Sequence, residues 1–201
     1  IERTRPDTPW ATLMEHEANL SSVKDRADSK KELEGTYNFY WARLYGWQLA
    51  EGRLRLQAGA AVNASVGFVY NTGNGNNPAQ ARAHLNLMPT GVATYRFTLL
   101  GRQLSARYEL NLPLAGVMFS PNYGQSYYEM FNEGNYDRNV VFTSIATFQM
   151  RQQISFDIPV WRHASLRIGY LGDIRQQTPN NLRQHQWYNA VLLGVTITKR
   201  E

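Results

Sequence analysis

Residues 53–70 read RLRLQAGAAVNASVGFVY, and this stretch decides the fold class. Its even positions are Leu54, Leu56, Ala58, Ala60, Val62, Ala64, Val66, Phe68 and Tyr70. Its odd positions run Arg53, Arg55, Gln57, Gly59, Ala61, Asn63, Ser65 and Gly67. Alternation sustained over this length is the period of a β-strand, with one apolar face and one polar or small face. The preceding segment, Tyr37–Ala50, meets it through Glu51-Gly52, a two-residue hairpin signal. That register sets Leu49 opposite Leu54, Trp47 opposite Leu56, Tyr45 opposite Ala58 and Trp41 opposite Val62. Turn chemistry and alternation agree, and a slip of one residue would destroy the agreement.

The same logic extends along the chain. Leu85–Leu100 and Gln103–Leu114 form a second hairpin about Gly101-Arg102, which sets Leu99 opposite Leu104, Tyr95 opposite Tyr108 and Arg96 opposite Arg107, with Glu109 nearby. Like charges facing each other repel, so Glu109 is expected to compensate them. Asn139–Pro159 and Ala164–Gln177 form a third hairpin around Val160–His163. Phe148, Met150, Ile154 and Phe156 alternate there with Gln149, Arg151 and Gln153. Trp10–Val23 reads as a first strand and Gln186–Thr198 as a last one whose register stays open. About eight strands result, or ten or more if strands lie upstream of Ile1.

Connection lengths alternate between long (near 24–35, 71–82, 115–138 and 178–185) and short (Glu51-Gly52, Gly101-Arg102, Val160–His163). Every long loop therefore lies at one end of the sheet and every short turn at the other. Transmembrane β-barrels have this arrangement, with short periplasmic turns and long extracellular loops. The expected fold is a single all-β domain over residues 1–201, an antiparallel up-and-down transmembrane β-barrel.

Composition bears on which face is the interior. The chain has 201 residues with 21 basic and 16 acidic side chains, a net charge of +5, and 18% charged residues. That charged share lies below the roughly 25% of ordinary soluble domains, although mean hydropathy is −0.48. There is no cysteine, which excludes disulfides and thiolate metal sites. The uncharged stretches Leu56–Ala81 and Leu110–Tyr128 are broken by glycine and proline, so neither is a membrane-spanning helix. No leader is visible, and the absent initial methionine leads to the expectation that processing or truncation removed one. Basic residues are spread singly apart from Lys24–Lys31, so no nucleic-acid partner is expected. All basic side chains from Glu32 to Thr198, histidines aside, are arginines. Arginine forks suit a crowded interior of paired charges. The expected lumen network is Arg53, Arg55, Arg96, Arg107, Glu109, Arg151, Arg167, Asp173 and Arg175. A soluble lipocalin-like ligand-binding barrel, with its apolar face inward, is the competing architecture.

Arg43 breaks the pattern, because its register places it on the apolar face opposite Ala60. A midplane arginine on a lipid face costs about 2–4 kcal/mol. Two explanations stand open: a β-bulge near Gly46 that turns it into the lumen, or contact with a partner protein or a lipid phosphate.

Asn76-Asn77-Pro78-Ala79-Gln80-Ala81, the long run from Pro113 to Glu129 (PLAGVMFSPNYGQSYYE) and Leu166-Arg167-Ile168-Gly169-Tyr170 resemble a Bacteroidota family of uncharacterised outer-membrane β-barrel proteins, named only as a domain of unknown function. The similarity runs from about Trp10 to the C-terminus. It implies a cell outer-membrane address and a cleaved signal peptide, and it carries over no catalytic residues. Members of that family usually carry extra sequence before the part matching Ile1.

Candidate chemistry is sparse. His16, His84, His163 and His185 form no metal-binding spacing, and no metal or cofactor is expected. His163-Ala164-Ser165 looks like the His-x-Ser pair of lipid A deacylase barrels but lies at a short turn. His84 and His185 lie at the long-loop end, where Ser120, Ser126, Glu129 and Asp137 could approach, which leaves a lipid-modifying hydrolase as an alternative. The segment from Val117 to Tyr136 is rich in aromatics for a loop. Its Met118, Phe119, Tyr123, Tyr127, Tyr128, Met130 and Phe131 are either a plug over the barrel mouth or a partner-contact surface. The leading expectation is a non-enzymatic structural or accessory subunit of an outer-membrane assembly. Its expected partners are outer-membrane lipid (lipopolysaccharide) and other outer-membrane proteins.

Overall fold

In the computed structural model the described residues are 1–75, 78–122, 124–144, 148–181 and 183–198. They form one antiparallel sheet: β1 (Glu2–Thr4), β2 (Trp10–Lys24), β3 (Lys31–Leu49), β4 (Leu54–Asn71), β5 (Ala79–Leu99), β6 (Arg102–Asn111), β7 (Ala115–Phe119), β8 (Val140–Ser144), β9 (Gln149–Trp161), β10 (Ala164–Gln177) and β11 (Gln184–Ile197). Strands neighbour one another in the order β1-β2-β3-β4-β5-β6-β9-β10-β11, an up-and-down meander. β7 extends the line of β6 along β5, and β8 pairs with β7 as β9 pairs with β6. Eight long strand lines and the short β1 therefore make up the sheet. Among the described residues no ladder joins β11 back to β1 or β2, and the sheet is a curled half-barrel, consistent with the expected all-β barrel.

The first hairpin has the expected register, Leu49 opposite Leu54 and Trp41 opposite Val62. Its turn spans residues 50–53, with Ala50, Glu51 and Gly52 at φ of 50°, 56° and 82°, and the Gly52 and Arg53 N–H groups donate to the Leu49 and Ala50 carbonyls, each at 3.1 Å. The second hairpin differs. Its turn is Leu100-Gly101, with φ of 51° and 74°, so Leu99 faces Arg102, Tyr95 faces Ala106 and Arg96 faces Ser105. In both turns glycine is the last of the positive-φ residues and takes the largest positive φ. The correction moves each pair by two positions, so every side chain keeps its face.

Two further expectations change. At Leu112–Leu114 the ladder takes in one extra residue, since Thr90 faces Asn111 and Leu87 faces Ala115. Pro113 has no N–H to give, while Leu112 and Leu114 N–H donate to the Pro89 and Leu87 carbonyls. Inward residues are therefore odd-numbered in β6 and even-numbered in β7. The strand expected over Asn139–Pro159 is divided into β8 and β9, and residues 145–147 lie outside the described ones. The loops are correspondingly shorter than the sequence suggested. The β2–β3 connection is closed by Asp25, whose carboxylate accepts from the N–H groups of Lys30 and Ser29 and from the Ser29 hydroxyl. Those bonds hold its pKa below the ordinary aspartate value.

The curl turns the apolar face outward. Trp41, Trp47, Val62, Phe68, Leu85, Leu87, Phe156, Val191 and Leu193 are exposed, whereas Asn38, Gln57, Asn63, Glu109, Arg151 and Asp173 are buried. Inside, a small apolar cluster of Leu13, Tyr40, Ala42, Leu44, Ala61, Met88 and Val92 lines β2 to β5. No helix among the described residues is long and apolar enough to cross a membrane.

Gly59 belongs to this inner surface, and a Cβ there would run into the Arg43 carbonyl and the Leu44 Cα. Gly59→Val should lower unfolding stability by about 1–3 kcal/mol, as overpacking does. Gly194→Ala, whose added Cβ meets nothing within 4 Å, should leave it essentially unchanged. Denaturant titration of the purified protein measures both.

Candidate functional site: the lumen charge network and its mouth

Alternation delivers every second side chain of each strand to the concave face, and the curl then brings distant strands together. Arg151 of β9 is the hub. Its Nη2 lies 3.0 Å from Glu15 and 3.3 Å from Glu17 of β2, and its Nη1 lies 3.5 Å from Glu109 of β6. Its guanidinium also stacks 4.6 Å over the Tyr40 ring. Arg107 pairs with Glu109 at 3.3 Å and with Glu2 at 2.8 Å, and Arg55 approaches Glu2 at 3.7 Å. Gln57 donates to Glu2, and Asn111, held by the Thr90 hydroxyl, donates to Glu109.

Two further centres follow the strands. Arg167 clasps Asp157 through Nε and Nη2, each at 2.7 Å, and Thr196 donates to the same carboxylate. Toward the long-loop end Arg175 binds Asp173 at 2.6 Å and also donates to Asn38, the Tyr40 hydroxyl and His84 Nε2. Arg82 pairs with Glu34 at 3.1 Å, and Gln186 donates to the same carboxylate. Paired guanidinium forks of this kind satisfy charges that burial would otherwise make very costly.

The structure thus brings seven of the nine network candidates into the paired inner network: Arg55, Arg107, Glu109, Arg151, Arg167, Asp173 and Arg175. Arg53 and Arg96 share the inward parity but lie near the short-turn end outside that network: Arg53 pairs with Glu51 at the turn with its side chain 61% exposed, and exposed Arg96 faces Ser105. The acids that complete the network, Glu2, Glu15, Glu17, Glu34 and Asp157, were not assigned to it from sequence. Glu15, Glu17 and Asp157 do carry the inward parity of their strands, so alternation contained part of the signal. Their partners across the lumen leave no local trace.

At the long-loop mouth a cavity of about 220 Å³ is lined by Glu34, Arg82, His84, Arg175, Gln177 and His185, among others. His84 Nε2 lies between Asn63 Oδ1 at 3.2 Å and Arg175 Nη1 at 3.3 Å. Ser120 and Ser126 are engaged elsewhere, Ser126 and Glu129 in capping a helix. Among the described residues no serine is hydrogen-bonded to His84 or His185, and no group of three or more histidine or acidic side chains could hold a metal.

Arg43 stays on the outer face. Its register, opposite Ala60 and Thr12, runs without a bulge. The bulge explanation is therefore excluded.

The aromatic segment is partly strand. Met118 and Phe119 belong to β7, with Met118 buried. Residues 127–133 form a short helix, α1 (Tyr127–Glu133), with a reciprocal Ser126–Glu129 capping box and Gly134 at φ 68° closing it. Met130 is fully buried, whereas Tyr128, Phe131 and Tyr136 are 65%, 67% and 57% exposed. Phe131 stacks on Tyr127 at 6.1 Å and meets Tyr136 edge-on at 6.4 Å. Gln125, Asn122 and Asn180 side chains tie the loop to the carbonyls of Asn135, Asp137, Ser120 and Arg138. Tyr123 lies outside the described residues.

Residues 2–199 match the model of a family described as "Protein of unknown function (DUF3316)". The chain belongs to that family. No curated protein and no solved structure matches it. The family match covers the whole meander, from β1 to β11, so the inner network and the long-loop mouth both lie within it.

Removing the hub tests the network. Arg151→Ala would leave Glu15, Glu17 and Glu109 without it, and should destabilise the protein by about 3–5 kcal/mol. Arg53→Ala, at an exposed turn pair, should change stability by less than about 0.5 kcal/mol. Chemical unfolding followed by far-UV circular dichroism measures the contrast, and equal effects would refute the hub role.

Proposed function

We propose that this chain is an integral outer-membrane β-barrel protein, a non-enzymatic structural or accessory subunit of a larger outer-membrane assembly. One observation carries the membrane part. From β2 to β11, away from strand ends, Arg43 is the only charged side chain on the outward face of the described strands, while paired charges fill the inward face. Lipid imposes this inverted polarity, because an outward charge there costs free energy and an inward charge can be paired. A lipocalin-like soluble barrel has the opposite polarity. Strands of 13–21 residues on the long lines β2 to β5 and β9 to β11 exceed the roughly 9–11 needed to cross a bilayer.

The accessory role rests on what the interior and the loops offer. The network crosses the lumen, so a wide pore is not what this interior provides. The long-loop end instead presents Tyr128, Phe131 and Tyr136 on a rigidly tied loop, a preordered aromatic surface suited to a neighbouring outer-membrane protein. In this orientation lipopolysaccharide surrounds the long-loop side. The hydrolase alternative rests on His84 and His185, and among the described residues neither holds a serine hydroxyl.

Membrane fractions should hold the protein through high-salt and alkaline washes, and release by salt alone would sink the membrane reading. Affinity purification in mild detergent should bring down a stoichiometric outer-membrane partner. The triple change Tyr128→Ser, Phe131→Ser, Tyr136→Ser should lose that partner while the barrel still folds. A barrel that always purifies alone would sink the accessory role.

A further inference from the structure

The outward face carries one charge that its surroundings do not explain. Arg43 donates from Nη1 to the Thr12 hydroxyl at 2.7 Å, and its guanidinium lies 5.5 Å over the Trp10 ring. Its other N–H groups have no acceptor, and no carboxylate pairs with it, among the described residues. Trp10 faces Tyr45, two residues nearer the short-turn end than Arg43, so the guanidinium leans toward that end. A long basic side chain on a lipid-facing surface behaves this way when its head reaches for the interface.

The ladder supplies a second, independent charge. Thr12 faces Arg43 on one side and Arg3 of β1 on the other. Glu2 binds Arg107 and Gln57 on the inner face, so its neighbour Arg3 has the outward parity, and it is exposed. Two guanidinium-bearing residues thus flank one hydroxyl, about 10 Å apart at the backbone, which is two inter-strand spacings. Neither has an anionic partner among the described residues. Trp10, Tyr45 and Trp47 pack together beside them, with ring centroids 5.3 and 5.0 Å apart in turn. Such amphipathic rings settle at headgroup level.

We infer that Arg3, Thr12 and Arg43 form an outward-facing site for the phosphate of a glycerophospholipid in the leaflet at the short-turn end. The inference rests on the membrane reading above and adds the ligand. The phosphodiester offers acceptor oxygens to both forks and the hydroxyl, and its charge offsets what an outward arginine would otherwise cost. A partner's carboxylate could also meet a guanidinium, but the headgroup-level rings and the lean toward the short-turn end favour lipid.

Native mass spectrometry of the detergent-purified protein, titrated separately with phosphatidylglycerol, dioleoylglycerol and lipid A, tests this. Phosphatidylglycerol should bind the wild-type protein at least about tenfold more tightly than the phosphate-free diacylglycerol. Arg43→Gln and Arg3→Gln should each weaken phosphatidylglycerol about tenfold, the size of one lost charge-assisted contact. The double variant should weaken it further, and Arg43→Lys should retain part of the binding. Equal affinity of the wild-type protein for the two glycerolipids overturns the site even if a variant fails to fold. So does unchanged binding by folded Arg43→Gln, or a preference for lipid A over phosphatidylglycerol. Fractionation of the same cells separates the two questions. Protein absent from membranes refutes the membrane reading, whereas membrane-embedded protein without phosphate selectivity refutes only this site.

Discussion

A buried guanidinium must be paired, and Arg151 is where that constraint acts most widely. One side chain on β9 reaches carboxylates on β2 and β6, which the sheet order holds far apart along the hydrogen-bonded direction. Only a curled sheet can satisfy it. The curl then turns one face of every strand inward, where further buried charges find partners on the same concave side. Arg167 with Asp157 and Arg175 with Asp173 continue the arrangement toward the last strands.

The consequence on the other side is a broad apolar surface. Because charge is concentrated where it can be paired, Leu, Val, Ala and aromatic side chains cover the outside, with Trp10, Tyr45 and Trp47 gathered near the short-turn end. The ends differ in character. The short-turn end is three tight turns, two of them closed by glycine and one at Arg162-His163, whereas the long-loop end carries a capped helix and an aromatic cluster.

How much of this was legible in the sequence depended on how local the determining signal was. The first hairpin could be read to the residue because alternation and Glu51-Gly52 point to one register. The second could be read only to the face, since a glycine in either turn position leaves the parity unchanged. The extra residue at Leu112–Leu114 was not legible: Pro113 signals an interruption, but nothing local says how many residues the ladder absorbs. The arginines of the inner network were visible as odd members of apolar strands. Their acids Glu15, Glu17 and Glu2 lie more than a hundred residues from some of their partners.

The sequence by itself determined the period-two faces, the hairpins and the alternation of long and short connections, because each depends on neighbours in the chain or across one turn. The tertiary structure alone decided that the meander stays an open curl among the described residues and that β8 and β9 are separate. It also decided which acid meets which arginine, and that Arg43 remains outside beside Thr12 and Trp10. Those outcomes depend on how far a sheet twists and curls over eight strand lines, a sum over long-range contacts that no local pattern encodes.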